Sequence, residues 1–197
     1  MRMYDERALV ARLEPLDRRA KTAFAAACAQ RLLPLFERYA RVVGATAHAH
    51  RLAEILAAAW DVSSGRVIDV QSIYYEVESM SPKDYEGEWV MESGYGENAA
   101  AAVAYAIRTW LTDDPQEAAW AAFQMYEVAE YAATQAYAKV DPRLNITDDM
   151  VVGSEIAKAA LLAIEEDLGV VASAPPCWLE LRQRAEAEGL AWAATFP

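Results

Sequence analysis

A proline sits in the middle of the strongest helical pattern in this chain, and it limits what the rest can build. From Thr22 to Gly44 the sequence reads TAFAAACAQRLLPLFERYARVVG, with Phe24, Cys28, Gln30/Arg31, Leu32, Leu35, Tyr39 and Val42 recurring at steps of three and four. Side chains at that spacing share one face of an α-helix, so this face belongs in a core. Pro34 removes one backbone donor and crowds the carbonyl of Gln30, so the helix either kinks there or restarts with Pro34 in its first turn. The pattern predicts a long proline-bent helix over about residues 17–43, capped by Asp17 and stopped at Gly44, with the other helices packed around it.

The remaining punctuation is mostly helical. Met3 to Leu13 reads as a short helix with Leu9, Val10 and Leu13 apolar, ended before Pro15 because the residue preceding a proline is pushed out of the helical region. Thr46 can cap a helix carrying Leu52, Ile55, Leu56, Ala59 and Trp60, ended by Ser63-Ser64-Gly65. Asp69 can cap a short one carrying Val70, Ile73, Tyr74 and Val77, where valine and tyrosine also allow a strand. Glu86 to Gly96 has glycines and no helical period, which reads as a loop. Asn98 to Leu111 is alanine-rich and helical. Asp114-Pro115-Gln116-Glu117 is a sharp start signal, with a capping aspartate, proline at the first helical position and a glutamate three residues after the cap, for a helix to about Lys139. Thr147 opens a further helix stopped by Gly169, and Pro175-Pro176 begins a last one with Gly189 past its end. At 197 residues and 55% hydrophobic, about eight helices with short connections make a single all-α domain over residues 1–197.

No apolar run approaches the ~20 residues of a membrane span, and the charged amino end is no signal peptide, so the expected setting is cytoplasmic and off the membrane. Cys28 and Cys177 lack metal spacing, and Cys28 reads as a small core residue. The net charge of −12 is unevenly spread: residues 1–66 hold 11 Lys/Arg against 7 Asp/Glu, and residues 67–197 hold 7 against 23. Such a field repels nucleic acid and attracts basic partners.

Chemical motifs are sparse. Gly94-Tyr95-Gly96-Glu97-Asn98-Ala99 fits the dinucleotide fingerprint in letters, but no βαβ unit surrounds it. His48 and His50 point about 200° apart on a helix and do not chelate together. Glu127 and Glu130 share a helical face but lack the Glu-x-x-His partners of a di-metal site, so they read as a solvated acidic face. No nucleophile elbow or phosphate loop occurs. The expectation is therefore no catalytic residue, no metal and no cofactor, with an enzyme built by tertiary structure left open.

What remains is the stretch from Tyr74 to Glu97, in which rings alternate with carboxylates. Tyr75, Glu76, Glu78, Asp84, Tyr85, Glu86, Glu88, Trp89, Glu92, Tyr95 and Glu97 are the candidate partner-binding residues, with one basic residue, Lys83, among them. Rings supply buried area at little entropic cost, and acids speed encounter with a basic protein. The plainer alternative is that the rings turn inward and the acids face water. The leading expectation is a non-catalytic acidic protein-binding module. The alternative is a small-molecule or catalytic site in a pocket between helices, lined by Tyr105, Trp110, Trp120 and Tyr126.

Several runs carry a resemblance: FAAACAQRLLPLFERY at 24–39, ILAAAWD at Ile55 to Asp61, Pro82 with Asp84, ENAAAAVAYAIRTWL at 97–111 and AAWAAFQMYEVAEY at 118–131. Together they resemble the YjaG-like family of bacterial proteins of unknown function over roughly the first four fifths of the chain. The most specific piece is the arginine-leucine-x-proline run from Arg31 to Pro34, and the segment from Tyr85 to Glu97 departs from the pattern. The resemblance implies a compact all-α domain without an agreed activity and, at family level, an immunity role beside bacterial toxins, whose partner would be a basic toxin.

Overall fold

The carboxylate of Asp17 accepts a hydrogen bond from the Ala20 N–H at 2.8 Å, and the helix it opens becomes the axis of the molecule. A computed structural model of the chain describes residues 4–78, 80, 90–173 and 178–197. Among these, nine helices occur and no strand: α1 (Glu6–Leu13), α2 (Arg18–Val42), α3 (Thr46–Ser63), α4 (Gln71–Glu78), α5 (Met91–Thr112), α6 (Pro115–Val140), α7 (Asp148–Val152), α8 (Glu155–Val171) and α9 (Trp178–Thr195). The strand alternative for residues 70–77 thus gives way to α4.

α2 is buried on every side from Ala20 to Phe36, not along one stripe, because α3, α5, α6, α8 and α9 all pack against it. Its run of small side chains lets these neighbours approach closely. The helix passes through Pro34 without a break, so no restart occurs there. Gly44 (φ +73°) ends it, and the Ala45 N–H reaches back to the Ala40 carbonyl at 2.7 Å, the bond expected beyond a left-handed stop. Val42, expected on the core face, is 53% exposed, because only Ala40 stays buried in the last turn.

Other boundaries depart from the sequence expectation for local reasons. Thr46 is the first residue of α3 and not its cap, which is Ala45 without a side-chain bond. Asp114 caps α6 through the Gln116 N–H at 2.9 Å, as its spacing requires, but Glu117 does not close a capping box. Instead Glu117 is buried and its Oε1 accepts from Arg108 Nη2 at 2.5 Å. The segment from Thr147 divides into α7 and α8 at Gly153, where the Ser154 hydroxyl caps the second helix through the Ala157 N–H. Gly169 and Gly189 lie inside helices, not beyond them.

Candidate functional site

α5 begins at Met91, earlier than the loop reading of 86–96 allows, and so carries Gly94 and Gly96 within its first two turns. Both glycines are there for clearance. A Cβ at Gly96 would lie 2.6 Å from the Tyr39 ring, and one at Gly94 would lie 3.2 Å from the Tyr131 ring. The fingerprint-like letters therefore make a helix–aromatic contact and not a phosphate loop.

This early start turns Tyr95 inward, which corrects the surface role expected for it. Its ring is fully buried, edge-on to Tyr131 at 5.2 Å, with the Arg38 guanidinium 4.9 Å over its face, and its hydroxyl donates to the Pro197 carbonyl at 3.4 Å. Burial pushes its hydroxyl up to about 12. The other candidates divide. Tyr75 on α4 is 67% exposed, its ring 5.4 Å from that of Tyr74. Glu76 is gripped in a two-pronged pair by Arg51 of α3, at 2.7 and 2.8 Å, and the hydrogen bond from Arg51 holds its carboxyl below the ordinary value. Glu92 is half-buried and Glu97 exposed on α5. Asp84, Tyr85, Glu86, Glu88 and Trp89, and the side chain of Glu78, lie outside the described residues.

Two acids expected to form a plain solvated face take part in a denser arrangement. Glu127 and Glu130 on α6 are half-buried, and the Glu127 carboxyl is raised first by burial, then by the charges of Glu130 and Glu97. The Tyr131 hydroxyl of α6 donates to the Met91 carbonyl at 3.0 Å. Glu127 and Glu130 stand three residues apart on one side of α6, Glu97 lies exposed on the adjoining α5, and among the described residues no basic side chain pairs with any of them. Nor do the described residues contain three His, Cys, Asp or Glu placed to hold a metal ion. His48 and His50 are both exposed.

The four aromatics expected around a pocket make separate contacts. Tyr105 packs on Trp120 at 5.5 Å, Trp110 lies under the Arg18 guanidinium at 5.6 Å, and Tyr126 stacks on Tyr4 at 5.6 Å. A groove of about 330 Å³ runs instead between α1 and α8, with Leu9, Leu161 and Ile164 in its walls. Its polar rim is already engaged: Arg12 Nη1 donates to both oxygens of Glu165 at 2.8 Å, and the Tyr4 hydroxyl donates to the Ala119 carbonyl at 2.6 Å.

The most unusual polar group is one the sequence places at the edge of the core stripe. Arg31 is completely buried: Nη1 and Nη2 donate to the two oxygens of Asp167 on α8 at 2.6 and 3.0 Å, Nη1 to the Ala27 carbonyl at 3.1 Å, and Nε to Glu188 on α9 at 2.6 Å. Arg184 of α9 donates to the same Asp167 and, at 3.3 Å, to Glu166. This network ties three helices and leaves the Arg31 guanidinium no contact with solvent, so its role is structural. Cys28, one turn before Arg31, is equally buried, and burial pushes its thiol up, away from nucleophilic use.

Comparison with known proteins places this architecture. A family model described as "Protein of unknown function (DUF416)" matches residues 8–191. The crystal structure of a DUF416 family protein from Shewanella baltica OS155 superposes with a TM-score of 0.71 at 15% sequence identity, covering 92% of this chain and 93% of that one. No curated protein matches the chain. The family's description is coarser than the YjaG-like resemblance, and neither comparison supports the immunity role that resemblance implied. No helix among the described residues is long and apolar enough to cross a membrane.

Proposed function

The chain belongs to the DUF416 family, whose function is unknown, and from that premise we propose that it is a non-catalytic helical module that binds a basic protein through the surface carrying α4, α5 and α6. The observation that carries this reading is the presence of Glu97, Glu127 and Glu130 on the adjoining helices α5 and α6 without a basic partner among the described residues, beside α4, which packs on α5 and carries the exposed ring of Tyr75. Like charges held together at partial burial repel, and a cationic side chain brought by a partner relieves that repulsion. Tyr75 supplies the amphipathic ring that such a contact uses as an anchor. Neutralisation of a basic toxin is the narrowest form of the reading.

The test is site-specific photocrosslinking. A photoreactive residue is placed at position 75 of the full chain in its native host, and the adduct is identified by mass spectrometry. A single basic protein, lost when Glu97, Glu127 and Glu130 are all changed to glutamine, supports the reading. An acidic adduct, or the same adduct at undiminished yield from the glutamine variant, refutes it. The groove between α1 and α8 favours a second reading, a small apolar ligand seated on Leu9, Leu161 and Ile164, which a retained small molecule in native mass spectrometry of the intact protein would support.

A further inference from the structure

We propose that α9 is a strap: a helix that opens from α2 and α8 as one unit while the rest of the fold stays closed, its docking divided between ion pairs and a few apolar anchors. This inference is independent of the binding surface above.

Within the helix only Leu181, Ala185 and Gly189 are buried, and two of these three have little or no side chain to remove from water. The half-buried rings of Trp178 and Trp192 lean on the core, and polar clasps do the remaining fastening. At one end the Trp178 Nε1–H donates to the Ser63 carbonyl at 3.1 Å. In the middle Glu188 accepts from Arg31, and Arg184 donates to Asp167 and Glu166. At the other end Arg38 donates to the carbonyls of Ala193, Phe196 and Pro197, and Phe196 supplies the main apolar plug beyond the helix.

Two features make this seat easier to leave than a core interface. Arg184 Nε and Arg38 Nε, one on α9 and one beneath its end, are buried without a hydrogen-bond partner among the described residues, so docking forfeits solvation that opening restores. In addition, lifting α9 does not orphan a core charge. Arg31 keeps its two-pronged bond to Asp167, since both belong to helices that stay in place, and only the partly exposed Glu188 and Arg184 depart. The usual penalty for breaking a buried ion pair, an uncompensated charge left in the interior, is thereby avoided. Local opening of this kind is a cooperative event below the threshold of global unfolding.

Native-state hydrogen exchange on the full chain reads the opening directly. The α9 amides from Arg182 onward are expected to exchange at least about tenfold faster than the hydrogen-bonded amides of α2 and α5. Glu188→Gln should speed α9 further while leaving the α5 and α6 amides unchanged. Should that variant fold poorly, Trp178→Phe removes the clasp to Ser63 at the amino end of α9 without touching the buried network or α5, and the same selective acceleration is expected. Equal exchange of α9 and α5 in the parent protein overturns the proposal. So does a uniform acceleration of every helix in either folded variant, because α9 would then be part of the global unit.

Discussion

Gly189 on α9 lies directly against the backbone of Arg31 on α2: a Cβ at position 189 would stand 2.7 Å from the Arg31 carbonyl oxygen and 2.9 Å from its Cα. Helices meet at that distance only where one lacks a side chain. The crossing sets Glu188, the preceding residue, within 2.6 Å of the Arg31 guanidinium. Close packing and the buried charge network are therefore one feature.

A glycine pair turns this into a measurement. Alanine normally stabilises a helix interior over glycine by ~0.5–1 kcal/mol. A Cβ at Gly169 in α8 would meet nothing within 4 Å, and the backbone there has no positive φ, so Gly169→Ala should gain that amount in urea unfolding. At Gly189 backbone atoms stand in the way, and overpacking of ~1–3 kcal/mol outweighs the propensity gain. Gly189→Ala should therefore lower stability, and a gain at both positions would refute the close crossing.

The Arg31–Asp167 pair makes a second prediction. Asp167→Leu or Arg31→Met alone leaves the other charge of the pair without its fully buried partner, for a loss of ~3–5 kcal/mol in each case. Changing both, to Met and Leu, removes the orphaned charge, so the double variant should lose clearly less than the two single losses together. Equilibrium denaturation of all four forms gives the coupling directly. Additive losses would mean that the two groups do not compensate one another.

Much of the fold is legible in the sequence because local signals agree with the final packing: Asp17, Asp114 and Thr147 cap helices, and Gly44 ends α2. What is not legible depends on neighbours distant in sequence. Gly94, Gly96, Gly169 and Gly189 read as loop punctuation, and all four are helical. At three of them the reason is a ring or backbone from another helix, which no local pattern contains. Arg31 in an apolar stripe has no visible counter-charge, since Asp167 lies 136 residues away. The carboxylates of Glu97, Glu127 and Glu130 are each visible, but their placement on adjoining helices requires α5 and α6 to pack side by side. Tyr95 escapes a sequence reading because an alternation of rings and acids carries no sign of which rings point inward once the segment becomes a helix.

Tyr4 offers a simpler test of how the amino end is fixed. Its hydroxyl donates to the Ala119 carbonyl on α6 at 2.6 Å, while its ring stacks on Tyr126 and leans on Phe123. Tyr4→Phe keeps the ring contacts and loses only the hydrogen bond, so the expected cost is ~1 kcal/mol in thermal or chemical unfolding. Tyr4→Ala removes the rings' partner as well and should cost several times more, ~3–5 kcal/mol if the site stays open. Equal costs would assign the whole effect to the hydroxyl.

The carboxylates on α5 and α6 give a pH dependence whose sign follows from its cause. Burial, then Glu130 and Glu97, raise the Glu127 carboxyl above its ordinary value in the folded protein. The folded state therefore binds this proton more tightly than the unfolded chain, and stability falls as pH rises from the ordinary carboxylate range through the raised folded value. Below that window Glu127 is protonated in both states and imposes no penalty; above it the penalty is complete. Glu127→Gln removes the titrating charge, so the variant should be more stable than the parent at neutral pH. The difference should shrink as the pH is lowered through the same window. A parent and variant with parallel stability profiles across it, measured by urea unfolding at stepped pH, would show that Glu127 is ordinarily solvated and that the three carboxylates do not interact.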